Sequence, residues 1–136
     1  MFLLGFPLLL IPFAIYNIIA FLMPGASFAD PLFSIRMLSK VDLVVSSGDL
    51  LLVFAILILF VEIVKATRIG SRSIVDHVLS LILFLVMLAE FMIVQQAATA
   101  TFLLLCTLSF VDVIGGFAVT IRTSQRDIAL EGLDRA

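Results

Sequence analysis

Four long apolar runs set the pattern of the chain, spanning about residues 2–23, 47–64, 74–94 and 99–121. Within each run the apolar residues follow one another continuously, without the strict alternation of a barrel strand. A helix needs about 20 mainly apolar residues to cross a hydrocarbon core of ~30 Å. Only helices and closed barrels satisfy their backbone polar groups in lipid. The pattern therefore predicts four membrane-spanning helices. Pro7 and Pro12 each lack a backbone donor, which predicts a bend in the first helix.

Between the first two runs lies a segment of different character, residues 31–45, reading PLFSIRMLSKVDLVV. On a helical wheel Phe33, Met37, Val41 and Val44 form a stripe, flanked by Leu38 and Val45. Arg36, Ser39, Lys40 and Asp42 gather opposite, whereas Leu32, Ile35 and Leu43 break the pattern. The distribution predicts an interfacial amphipathic helix, with Arg36 and Lys40 available to lipid headgroups or a docking partner. Pro24-Gly25 and Asp30-Pro31 punctuate its approach, and Ser46-Ser47-Gly48-Asp49 turns the chain into the second run. The expected fold is all-α: one integral membrane four-helix bundle over 1–136, an amphipathic interfacial segment at 31–45, and a tail at 122–136.

Composition agrees with this reading. The 136 residues are 63% hydrophobic and 13% charged, with a mean hydropathy of +1.32 and a net charge of -2. Soluble domains carry about 25% charged residues, so disorder and a basic nucleic-acid binder are both excluded. A single cysteine, Cys106, excludes an intrachain disulfide and reads as a small buried hydrophobe. Ser27-Phe28-Ala29 offers small residues of the kind a signal peptidase prefers. No Lys or Arg precedes the first run, however, and it is longer than an ordinary signal core, so it is expected to be retained as a span.

Basic residues set the expected orientation. Loop 65–73 holds Lys65, Arg68 and Arg72, and the tail holds Arg122, Arg126 and Arg135. By the positive-inside rule these sides and both termini are cytoplasmic, against the opposing signal of Arg36 and Lys40. Lys65, Arg68, Arg72, Arg122 and Arg126 are read as one basic rim, and the tail as a short surface helix carrying Ile128 and Leu133.

Ionisable residues inside spans are the candidates for chemistry, because burying one costs from about 2.5 kcal/mol upward. Glu62 lies three residues before Lys65 and is expected to pair with it or to snorkel. Asp49 and Asp76 read as first-turn carboxylates, the latter in a Ser73-x-x-Asp76 capping pattern. Asp112 is ten residues before Arg122, about 15 Å into its helix. It shares a stripe with Thr101, Leu105, Ser109, Gly116 and Thr120. Gly115-Gly116 leaves room for another backbone to approach. Asp112 is expected to face the protein interior, hydrogen-bonded to a neighbouring helix, with a proton or cation relay and a subunit or cofactor contact as the other readings. Glu90 shares a face with Asp76, Ser80, Leu83 and Met87, and its height differs from that of Asp112 by roughly 9 Å, too far for direct pairing.

His77 is the one histidine, which excludes a bis-histidine haem site or a three-histidine metal site within one chain. It could supply one axial ligand to a pigment or a shared metal, but its place in the first turn of the third run favours a headgroup or capping role. Gly70-Ser71-Arg72-Ser73 reads as a plain turn, and no nucleotide-binding or hydrolase motif occurs. Size and helix number are similar to those of the small multidrug transporters and the fluoride channels. The charge-free first run lacks the membrane-embedded glutamate of the former, and no residue role is carried over. The expected protein is not an enzyme and uses no metal or cofactor. Its expected role is that of an accessory or scaffold subunit of an inner-membrane complex. Its partners would be lipids and other membrane subunits or its own copies, not nucleic acid. The other reading is a small oligomeric transporter or a proton or cation channel using Asp112 and Glu90.

Overall fold

The structure, a computed structural model, describes residues 5–67 and 71–135, without the side chains of residues 71–73 and 123. The chain is mostly helical. In order it forms α1 (Leu10–Leu22), strands β1 (Pro31–Arg36) and β2 (Asp42–Ser46), α2 (Ser47–Ala66), α3 (Ser71–Ile93), a single 3-10 turn (Gln95–Ala97) and α4 (Ala100–Asp134). Three helices, α2, α3 and α4, are long and apolar enough to cross a membrane, while α1 has 13 residues. That is about 20 Å of helix.

The two prolines explain where α1 starts. Pro7 lies ahead of it, accepting a hydrogen bond from Leu10 N–H, and Pro12 is its third residue. A first turn needs no intrahelical N–H, so both prolines mark the beginning of the helix instead of bending its middle.

Segment 31–45 is an antiparallel hairpin, not the expected helix. Phe33 pairs with Val45 and Ile35 with Leu43, so these four apolar side chains share one face. Ile35 and Leu43, which disrupted the helical wheel, are the residues that a period of two explains. Lys40 closes the turn in the left-handed region at φ 67°. Its N–H donates to Met37 O, and Met37 N–H donates to Val41 O, both at 2.9 Å. This is a three-residue hairpin loop with a left-handed final position. A lysine there gives no local sequence signal of the kind Asn-Gly would.

Ser46 ends β2 and caps α2. Its hydroxyl accepts from Asp49 N–H at 3.2 Å and its own N–H donates to the Asp49 carboxylate at 2.9 Å. From there Gly48, Leu51, Ala55, Leu59, Glu62 and Ala66 form the buried row of α2. It packs on a matching row of α4 comprising Phe102, Leu105, Cys106, Ser109, Asp112, Val113 and Gly116. His77, Ser80, Leu83 and Met87 of α3 complete the interior. Gly48 lets the connection after α1 come close, its N–H donating to Phe28 O at 2.9 Å.

At the other end the expected boundaries shift. α3 begins at Ser71, so Ser71, Arg72 and Ser73 belong to the helix and not to a turn, while Arg68 and Gly70 lie outside the described residues. Asp76 is consequently the sixth residue of α3, beyond the reach of an N-terminal cap. The tail is helical with Ile128 and Leu133 exposed, as expected, and it is the unbroken continuation of α4 to Asp134.

Glycines at 48 and 115 make a paired test of the packing. A Cβ at Gly48 would lie 2.7 Å from Thr101 Oγ1 and 2.8 Å from the Phe28 carbonyl oxygen, whereas one at Gly115 meets nothing within 4 Å. Gly48→Ala is expected to destabilise the detergent-solubilised protein by about 1–3 kcal/mol. Gly115→Ala should be neutral or stabilising by up to about 1 kcal/mol. Unfolding midpoints of the two variants, measured side by side, check the difference.

Candidate functional site

Ionisable side chains gather where α2 ends and α3 begins. Lys65 and Glu62 project from the last turns of α2, and Asp76, His77 and Ser80 from the first turns of α3. Asp112, Gly116 and Thr120 face them from α4. Seven of these residues, all but Thr120, line one small cavity together with Ala66. It measures about 10 Å³, the room of a single water.

Glu62 and Lys65 form an ion pair at 3.2 Å, with side chains only 4% and 10% exposed. The remaining capacity of the pair is met by the segment ahead of α1. Leu8 N–H donates to the Glu62 carboxylate, and Lys65 Nζ donates to Phe6 O at 2.9 Å. Lys65 therefore turns inward and is not part of an exposed basic rim. Asp112 is 5% exposed, with the Ser80 hydroxyl as its hydrogen-bond partner and Glu62 and Lys65 within electrostatic reach. One oxygen of Asp76 is buried without a hydrogen-bond partner among the described residues and points toward Gly5.

His77 is buried, which displaces the headgroup and capping reading. Its ring lies over Phe117, with centroids 4.9 Å apart, and against Gly116, where a Cβ would come within 3.0 Å of it. The space left by Gly116 is thus filled by an imidazole and not by a helix backbone. His77 Nε2 is 2.6 Å from Thr120 Oγ1, and that hydroxyl donates to Ala66 O at 3.1 Å. A threonine hydroxyl has one hydrogen. A hydrogen on Nε2 lets both contacts form at once, with the hydroxyl accepting from the ring and donating to Ala66 O. Three helices meet in this chain of two bonds.

Glu90 belongs to the opposite, hairpin end. Asn17 Nδ2 reaches its carboxylate at a long 3.5 Å, and its other oxygen is buried without a partner among the described residues. Nearby, the fully buried Tyr16 donates its hydroxyl hydrogen to Gln96 O at 2.9 Å and lies 2.6 Å from Thr99 Oγ1. Its ring stacks on Phe28, with centroids 4.3 Å apart, and meets Phe102 edge-on. Between the two ends lie Ala55, Leu59, Leu83, Met87, Leu105 and Cys106, all buried apolar residues. Ser109 is buried one turn from Asp112, and its hydroxyl has no hydrogen-bond partner among the described residues. Arg36 and Lys40 sit far away on the hairpin, Arg36 facing Asp42 at 3.7 Å in an exposed pair. Such a pair contributes little to stability.

Tyr16, Asn17 and the backbone of Phe6 and Leu8 are the participants that sequence reasoning missed. The adjacent tyrosine and asparagine within an otherwise oily run are the available signal for the first two, because a phenol or an amide in lipid needs a partner. Nothing in the sequence marks the Phe6 carbonyl or the Leu8 N–H.

No protein-family model, curated protein or solved structure matches the chain. Its role must come from the chemistry of the site. Among the described residues, no group of three or more His, Cys, Asp or Glu side chains is arranged to hold a metal ion. The cluster offers an ion pair and an imidazole bonded to a hydroxyl that in turn bonds a backbone carbonyl. That arrangement holds helices together.

The ion pair can be tested by removing half of it. Lys65→Met leaves the Glu62 carboxylate buried beside two other acids, and should destabilise the detergent-solubilised protein by about 3–5 kcal/mol. The double variant Glu62→Gln/Lys65→Met should recover much of that loss. An unfolding midpoint unchanged in Lys65→Met would refute the assignment.

Proposed function

We propose that this chain is a non-catalytic accessory or scaffold subunit of a larger assembly in a bacterial inner membrane, with both termini cytoplasmic. Embedding is supported by the outward faces of α2 and α3, where Val53, Ile56, Leu57, Phe60, Ile82, Leu85 and Val86 are all exposed. A surface of that kind needs lipid or protein against it. Orientation rests on the basic residues at the α2–α3 connection and along the end of α4.

The observation that carries the scaffold reading is the apolar layer between the two polar ends. Leu59, Leu83, Met87 and Leu105 separate the Asp112 cluster from Glu90. A relay joining the two carboxylates would have to pass through that layer. Glu62 and Lys65 are directed at each other and at backbone groups of the first segment, a pattern suited to fixing helix positions. The exposed part of α4 beyond Thr120 extends the chain at one end, where membrane subunits or further copies of the chain would meet it.

The competing reading is a small oligomeric transporter, or a proton or cation channel, built on Asp112 and Glu90. Its support is the excess of carboxylates over cations in the cluster, with Glu62, Asp76 and Asp112 set against Lys65.

Two measurements decide between them. Native mass spectrometry after gentle solubilisation should find the chain in stoichiometric association with another membrane polypeptide, and a homogeneous homo-oligomer would count against the scaffold. Proteoliposomes of the purified chain should be as tight to protons and monovalent cations as protein-free vesicles. A flux that Asp112→Asn abolishes in a protein that still folds would transfer the function to the transporter reading.

A further inference from the structure

The hairpin presents an apolar face that the chain leaves open except at its base, where Val45 is half-buried. Every residue of β1 is exposed, as are Asp42, Leu43 and Val44 of β2. The register places Phe33, Ile35, Leu43 and Val45 on one side, and Ser34, Arg36, Asp42 and Val44 on the other. One face is wholly apolar. The other carries Ser34, Arg36 and Asp42 with Val44, while Leu32 sits unpaired at the irregularity between Pro31 and Phe33. A two-stranded hairpin left bare in water is marginal at best, so the apolar face requires an occupant.

Its position in the fold says which. Ser46 is at once the final residue of β2 and the N-cap of α2, so no linker separates the hairpin from a 20-residue helix of membrane-spanning composition. The outward apolar surface of that helix starts at Leu50, one turn into it. The base of the hairpin is also pinned. Ser47 N–H donates to Asp30 O at 3.2 Å, Gly48 N–H donates to Phe28 O at 2.9 Å, and Ser47 Oγ donates to Ser27 O at 3.3 Å. Phe28 is in turn stacked on the buried Tyr16. The hairpin is therefore held at the level where α2 enters its apolar run.

We propose that the Phe33–Ile35–Leu43–Val45 face lies on the bilayer, at the boundary between headgroups and acyl chains. This rests on the membrane-embedded reading above. The depth is limited from both sides. The outer edges of a two-stranded sheet carry unpaired N–H and C=O groups that hydrocarbon cannot satisfy, so the hairpin cannot sink into the core. Its apolar side chains gain by leaving water, so it does not float free. Lying flat at the boundary meets both demands, with Arg36 and Asp42 on the aqueous side and Lys40 at the turn near the phosphates.

The chain contains no tryptophan, so a single introduced indole reports alone. The test uses the full chain in phosphatidylcholine vesicles, with and without brominated acyl chains. Phe33→Trp, Ile35→Trp and Leu43→Trp should be quenched by the brominated lipid about twofold or more over Ser34→Trp and Asp42→Trp. Aqueous acrylamide should give the reverse order. Leu57→Trp, on the outward face of α2, is the control for embedding. Quenching at position 57 with none at 33, 35 and 43 overturns the hairpin proposal and leaves the embedded reading standing. No quenching at 57 overturns the embedded reading itself. Protection of 33, 35 and 43 from both quenchers means that a protein surface, a second copy included, covers the face, and this also overturns the proposal.

Discussion

An ionised carboxylate placed among apolar helices has to be given partners, and the way Glu62 obtains them organises one end of this molecule. One partner is local, Lys65 on the same helix. Another is remote, the backbone N–H of Leu8, and Lys65 reaches onward to the Phe6 carbonyl. A buried pair of this kind offsets its desolvation only when its remaining donors and acceptors are occupied. The segment ahead of α1 is thereby drawn onto the α2–α3–α4 interior, although α1 itself is short. His77, Thr120 and Ala66 add a second tie across the same three helices, made of two hydrogen bonds in series.

The opposite end is held by different means. There Tyr16 combines ring stacking on Phe28 and Phe102 with hydrogen bonding to Gln96 and Thr99. Thr99 also caps α4 by accepting from Phe102 N–H at 3.1 Å. One aromatic residue of α1 thus sets the approach of the hairpin and the α3–α4 connection together. Between these ends the interior is filled by aliphatic and small side chains, with Ala55 fully buried between larger neighbours. Small residues in the row of α2 allow α4 to come close along its length.

What could be read from the sequence follows from how local each cause is. Length and apolar composition alone fix α2, α3 and α4, and the inward direction of Asp112 follows from its helical stripe. The hairpin was hidden because its turn residue is a lysine in a conformation usually given to glycine or asparagine, and because residues 33, 37, 41 and 44 happen to suit a helical period too. Asp76 and His77 were misplaced through a shift of three residues in the start of α3, enough to turn a capping position into an interior one. Charge counting places Lys65 in the basic rim because it says nothing of a carbonyl 59 residues earlier in the chain. Pairings of that sequence separation have no local signature.

The unbroken course of α4 has a mechanical consequence. Thr120 lies level with the end of α2, and the helix runs on to Asp134. This leaves a lever of roughly 20 Å beyond the last residue of α2. A rod without a hinge transmits angle as displacement. Tilting its packed portion by about 10° would sweep the far tip through about 3–4 Å, so whatever grips that tip is geared directly to the seating of the helix on its neighbours.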